Sequence, residues 1–176
     1  MKKRFPALFL SAAMVFSLLV LPAGAAETED GYEGILEKYA DTSAGFFYWL
    51  YTTEGDSDAQ NAYLLLTTGA CGSSVDVTSS KSGGYYAATE LGDEDDATSL
   101  DNLLDTIQWM EECNDLRQSD DNSSGLSDLK VSSLLMAIAE LDAKWSSTNL
   151  EHASVFSVGE NLAWGYPDSF DSWYTE

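Results

Sequence analysis

The stretch Val131-Ser132-Ser133-Leu134-Leu135-Met136-Ala137-Ile138-Ala139-Glu140-Leu141-Asp142-Ala143-Lys144-Trp145 decides the fold class. Val131, Leu134, Leu135, Ile138, Leu141 and Trp145 fall largely three and four residues apart, so they share one face of a helix. Ser132 or Ser133 can cap its start, because a serine hydroxyl accepts from an otherwise unpaired N–H of the first turn. Ser146-Ser147-Thr148-Asn149 ends it.

Upstream, Leu126 and Leu129 lead into this helix, and Gln118 to Gly125 breaks the pattern with Ser, Asp, Asn and Gly. Before the break lies a second helix. Thr98 or Ser99 can cap it, and Asp101 suits its positive N-terminal end. Leu100, Leu103, Ile107 and Met110 form its apolar stripe, which Asn114 and Arg117 continue. Polar groups on a buried face need hydrogen-bond partners, so this pair would tie the helix to neighbouring backbone. The same pattern also fits a helix end that emerges into solvent. Downstream, Val155 to Trp164 alternates loosely and is expected to be a strand. Tyr166-Pro167 makes a turn, and Asp168 can cap a last helix carrying Phe170, Trp173 and Tyr174.

The other end of the chain reads differently. Met1-Lys2-Lys3-Arg4 is basic, Phe5 to Pro22 is almost wholly apolar, and Ala23-Gly24-Ala25-Ala26 is small. These are the three parts of a secretory signal peptide, expected to be cut after Ala25. Residues 1–25 are therefore expected to be absent from a secreted, extracellular product with no stable membrane span. No cysteine sits at the exit for a lipid anchor. The remainder carries five basic residues, Lys38, Lys81, Arg117, Lys130 and Lys144, against 30 acidic ones. Such a field repels nucleic acid and anionic headgroups. Its main reading is a solvated surface. Cys71 and Cys113 make no disulfide framework, and their separation gives no support for a bond.

Residues 26–97 form an acidic N-terminal region of unknown fold. Tyr32, Ile35, Leu36 and Tyr39 suit a short helix. Phe46-Phe47-Tyr48-Trp49-Leu50-Tyr51 and Tyr63-Leu64-Leu65-Leu66 are too short and too uniformly apolar for periodicity to choose helix or strand. Gly69 to Gly84 looks like a loop. Leu91 to Asp96 reads as a solvated acidic linker, because it lacks the alternating ligands, central Gly and closing Glu of a calcium loop.

His152 is the only histidine, eight residues before Glu160. A fully extended chain would hold the two about 26 Å apart, so a shared site requires the chain to fold back. One histidine with one or two carboxylates is a thin set for zinc, which usually takes at least three protein ligands. No nucleophile elbow, phosphate loop or dinucleotide fingerprint is present.

The order Asn114-x-x-Arg117, Gly125-Leu126-x-x-Leu129, His152, Gly159-Glu160-Asn161-Leu162-Ala163-Trp164-Gly165 and Trp173-x-x-Glu176 resembles the CAP superfamily of cysteine-rich secretory, antigen five and pathogenesis-related proteins. The closest likeness is to its bacterial SCP-like members, over about Leu100 to Glu176. The resemblance implies an α+β fold: a partial α-β-α sandwich over 98–176, mostly helical, with much of the central sheet missing. It implies a polar cavity with His152, Glu160 and Glu176 as three of four lining residues, and Asn114, Arg117, Gly159, Asn161 and Trp173 as its structural motif. The fourth, a second histidine, would come after Glu176, so the chain reads as the front portion of a longer protein or a truncated product. The apolar helix faces would then be uncovered, unless another chain or the N-terminal region covers them. His152 could take part in a weak divalent-metal site, such as zinc. Three functions follow, in order: an extracellular binding module for an unknown ligand or protein, a metal-assisted extracellular hydrolase using Glu160 or Glu176 as base, or a surface protein with the CAP-like part as spacer. An enzyme is the less favoured reading.

Overall fold

A computed structural model describes residues 31–119 and 126–164. The described chain is mostly helical, with one small antiparallel sheet. Its elements are α1 (Gly31–Lys38), α2 (Ser43–Glu54), α3 (Ser57–Thr68), β1 (Ala70–Cys71), β2 (Val75–Asp76), α4 (Gly84–Ala87), α5 (Leu100–Ser119) and α6 (Ser133–Asn149), with a 3-10 turn at Ser80–Gly83 before α4.

The two ambiguous apolar runs are both helical, and their ends explain why. The Thr42 hydroxyl accepts from Gly45 N–H at 3.2 Å to start α2. Gly55, at φ 70°, closes it by returning its N–H to the Tyr51 carbonyl. Asp56 caps α3 through Asp58 N–H at 2.9 Å, and Gly69, at φ 72°, ends it. Both stops use the left-handed conformation that glycine adopts without a Cβ penalty. Gly45 serves a different need, since a Cβ there would lie 2.1 Å from the Tyr39 carbonyl oxygen.

The expected loop after α3 contains the sheet, with Ala70 opposite Asp76 and Cys71 opposite Val75. Cys71 and Cys113 are both free thiols. The expected strand over 155–164 does not form; these residues run as an irregular segment behind α6. A strand needs a partner for its backbone groups, and here the only paired strands among the described residues are β1 and β2.

One core joins the two halves of the chain. Phe47 on α2, Ala62, Leu65 and Leu66 on α3, Leu103 on α5, and Ile138, Leu141 and Trp145 on α6 belong to a single buried cluster. Fully burying a side chain such as Phe47 or Leu65 contributes about 1.5–3 kcal/mol. The N-terminal region therefore covers the inner face of α6. That face differs from the expected one in part: Ala137, Ile138, Leu141 and Trp145 are buried, whereas Val131 and Leu135 are exposed.

Polar contacts reinforce the seam. Residues 41–43 pair with 98–100, through Ser43 N–H to the Thr98 carbonyl and Leu100 N–H to the Asp41 carbonyl, both at 2.9 Å. Asp58 of α3 caps the start of α6, accepting from the Ser132 hydroxyl at 2.8 Å and Leu134 N–H at 3.2 Å. Ser132 in turn accepts from Leu135 N–H, which makes it the N-cap.

The acidic linker is not solvated throughout. Asp93, Glu94 and Asp95 are exposed, but Asp96 is fully buried. Its carboxylate accepts from the Thr98 hydroxyl and N–H and from Glu90 N–H, and pairs with Lys144 at 3.0 Å. Burial acts to raise its pKa, but these donors outweigh burial and hold it below the ordinary carboxylate value.

Candidate functional site

The site begins where α6 ends. Leu150 adopts φ 53° and returns its N–H to the Ser146 carbonyl, which turns the chain out of the helix. Ala153 is then buried and Ser154 takes φ 50°. Two left-handed residues in five fold the segment back on itself. The result brings His152 Nδ1 within 2.9 Å of Glu160 Oε2, while Glu160 Oε1 accepts from Ser154 N–H at 3.0 Å. Both oxygens of Glu160 are thus engaged, and its side chain is only 10% exposed. His152 is half exposed. In the neutral imidazole, with Nδ1 donating to Glu160, Nε2 is left as an acceptor.

Behind this pair lies a buried acid. Asp142 on α6 accepts a hydrogen bond from the Tyr85 hydroxyl at 2.5 Å. Burial raises the Asp142 pKa and the nearby charge of Glu160 adds to it, opposed by the Tyr85 bond and by His152. Burial first, and then the bond to Asp142, push Tyr85 far above its ordinary value. Tyr85 and Asp142 were not among the residues singled out from sequence. A signal existed for Asp142, which lies four residues after Ile138 and three before Trp145, on the buried stripe. Tyr85 had none.

The remaining motif residues fall in three places. Asn114 clasps the backbone of Leu129, accepting from its N–H at 2.7 Å and donating to its carbonyl at 3.1 Å. Arg117 Nη2 donates to the Ser127 carbonyl at 3.1 Å. The pair ties α5 to the segment entering α6, away from His152. Gly159 and Asn161 are exposed beside Glu160, and Asn161 borders a cleft of about 210 Å³ shared with α5 and α6. Trp173 and Glu176 lie outside the described residues, as do the expected signal peptide and last helix.

Neither that cleft nor a second one of about 580 Å³ beside Lys81 and Lys144 is lined by His152 or Glu160. The described residues include no group of three His, Cys, Asp or Glu that could hold a metal. His152 and Glu160 are two ligands among the described residues, fewer than the three protein ligands zinc usually takes. Among the described residues no helix is long and apolar enough to cross a membrane.

No family model matches the chain, and no curated protein or solved structure matches it.

Proposed function

We propose that this chain is a secreted binding module of CAP type, presenting the segment after α6 to an extracellular ligand. The observation that carries the reading is the closed contact of His152, Ser154 and Glu160, which fixes a loop with no regular secondary structure. Three hydrogen-bonding groups spent on shaping a surface loop suit recognition, since binding residues sit on loops held by a rigid scaffold. The Asn114 and Arg117 clasp supports the same reading, because it holds the approach to α6. The basic and apolar lead of residues 1–22 supports export.

The test is expression of the full chain in a secreting bacterial host. The product should appear in the culture medium with a mass that begins at Ala26. Purified product should keep its melting temperature when zinc is added and when chelator is added. Retention in the cytoplasm with residues 1–25 intact would overturn the export half. Zinc binding abolished by His152→Ala, with turnover of an ester or peptide substrate, would overturn the binding-module half in favour of the hydrolase.

A further inference from the structure

The cleft beside Asn161 lies between α5, α6 and the segment that Glu160 holds. Trp109 comes from α5, Ser146 and Ser147 from α6, and Asn161, Leu162 and Trp164 from the segment. Its volume of about 210 Å³ is below the ~300–1,000 Å³ of sites for drug-sized ligands, so it suits one small ring.

The lining is unusual for this molecule. Among the described residues, not one ionisable side chain borders the cleft. A charged ligand would leave water for a place with no counter-ion, which is costly. The described lining therefore favours a neutral ligand. Two indoles and Leu162 offer apolar surface.

Hydrogen-bonding groups interrupt that surface. Ser147 Oγ gives its proton to the Lys144 carbonyl at 2.7 Å, so its lone pairs remain as acceptors. Ser146 is 1% exposed, so its hydroxyl stands behind the lining and is not offered to a ligand. The Asn161 amide is exposed and supplies both donors and an acceptor.

We propose that this cleft binds a neutral sugar ring. A pyranose has an apolar C–H face that packs on an indole and a rim of hydroxyls that donate and accept. That combination matches Trp109 and Trp164 on one hand, and Ser147 and Asn161 on the other. A purely apolar ligand would leave the polar groups unmatched. The proposal rests on the binding-module reading and names its ligand class. Glu160 is a positioning residue here: its bonds to His152 and Ser154 hold residues 160–164 as one wall of the cleft.

The experiment is a tryptophan-fluorescence titration of the purified secreted chain. The probes are methyl glycosides of neutral hexoses, N-acetylglucosamine, glucuronate as a charged control, and n-octanol as an apolar control. At least one neutral sugar should give a saturable change, and glucuronate should bind more weakly. Asn161→Ala and Trp164→Ala, both at exposed positions, should lower affinity by about tenfold without moving the melting temperature. Glu160→Gln should lower affinity and be partly rescued at saturating sugar. The assignment is overturned if no neutral sugar gives a saturable change, if glucuronate binds equally well, or if both variants bind as the parent does. A Trp164-dependent response to octanol alone would overturn the sugar assignment and leave the binding-module reading standing. The export and zinc experiments decide that broader reading separately.

Discussion

Glu140 of α6 is buried at the seam between the two halves of the chain, and it makes the stability of this protein depend on pH in an unusual direction. Its Oε2 lies 2.6 Å from Ser43 Oγ, and its Oε1 is buried with no partner. The Ser43 hydroxyl also lies 3.2 Å from the Thr98 carbonyl. A hydroxyl has one proton to give. If it goes to the Thr98 carbonyl, the 2.6 Å contact requires the proton of Glu140 itself. A protonated carboxyl meets that need, and burial pushes the Glu140 pKa up to about 8, with the Ser43 bond opposing and the charge of Asp96 adding. The unfolded chain releases this proton near 4.5. Between those two values the folded state binds one proton more than the unfolded state, so stability falls as pH rises. The slope is about 1.4 kcal/mol per pH unit for a single group. From pH 4.5 to about 8 the loss accumulates to roughly 4 kcal/mol, then levels off. Glu140→Gln keeps the shape and a donor but cannot ionise. It should lie within about 1 kcal/mol of the parent at pH 5 and exceed it by several kcal/mol at pH 9. The assay is urea unfolding of both proteins at one-unit intervals from pH 5 to 9, followed by circular dichroism. Subtracting one curve from the other removes groups common to both, including Asp142 and His152. Parallel curves would refute the reasoning.

Asp96→Asn should cost about 3 kcal/mol at pH 7, because it removes a buried charge paired with Lys144 and turns an amide NH2 toward donors that now meet a carboxylate oxygen, while Lys144 keeps Glu90; urea midpoints measure this. The Asp96 contribution has the opposite pH sign to that of Glu140. Its folded pKa is lowered, so its stabilisation is present above the unfolded value of 3.8 and is lost as pH falls through the folded one. Asn114→Ala removes both bonds to Leu129 and should cost about 1 kcal/mol, with faster hydrogen exchange at Leu129 N–H. Glu160→Ala should free the Ser154 N–H, seen as faster exchange there, while protection across α3 and α6 stays as in the parent.

Local signals were legible wherever the chemistry is local. The capping serine at 132 is such a case, since a cap is a contact over three residues. The start of α5 after Ser99, and a helix around Ile35, follow in the same way. The reading of Asn114 and Arg117 as ties to neighbouring backbone needed only their place on an otherwise apolar stripe, and both side chains do bond backbone of 127–129. The two aromatic and aliphatic runs were not legible as helices, because they are buried among neighbours on several sides and their apolar pattern carries no period. Their caps were present in the sequence, at Thr42, Asp56, Gly55 and Gly69, but only the finished turns show which bonds form.

Tertiary structure alone decided the rest. A strand over 155–164 failed because alternation needs a partner edge, and the described strands β1 and β2 pair only with each other. Asp96 and Glu140 are acidic residues by composition, and their burial depends on partners dozens of positions away, Lys144 and Ser43. The meeting of His152 with Glu160 was implied by the resemblance in residue order, but the left-handed turn at Ser154 that folds the chain back is a property of the folded chain. The sequence by itself determined α5, α6 and the strong acidity, because those rest on neighbours along the chain. Which face of α6 is covered, and that the N-terminal helices cover it, was decided only in three dimensions, where Leu65 and Ile138 come to share one core.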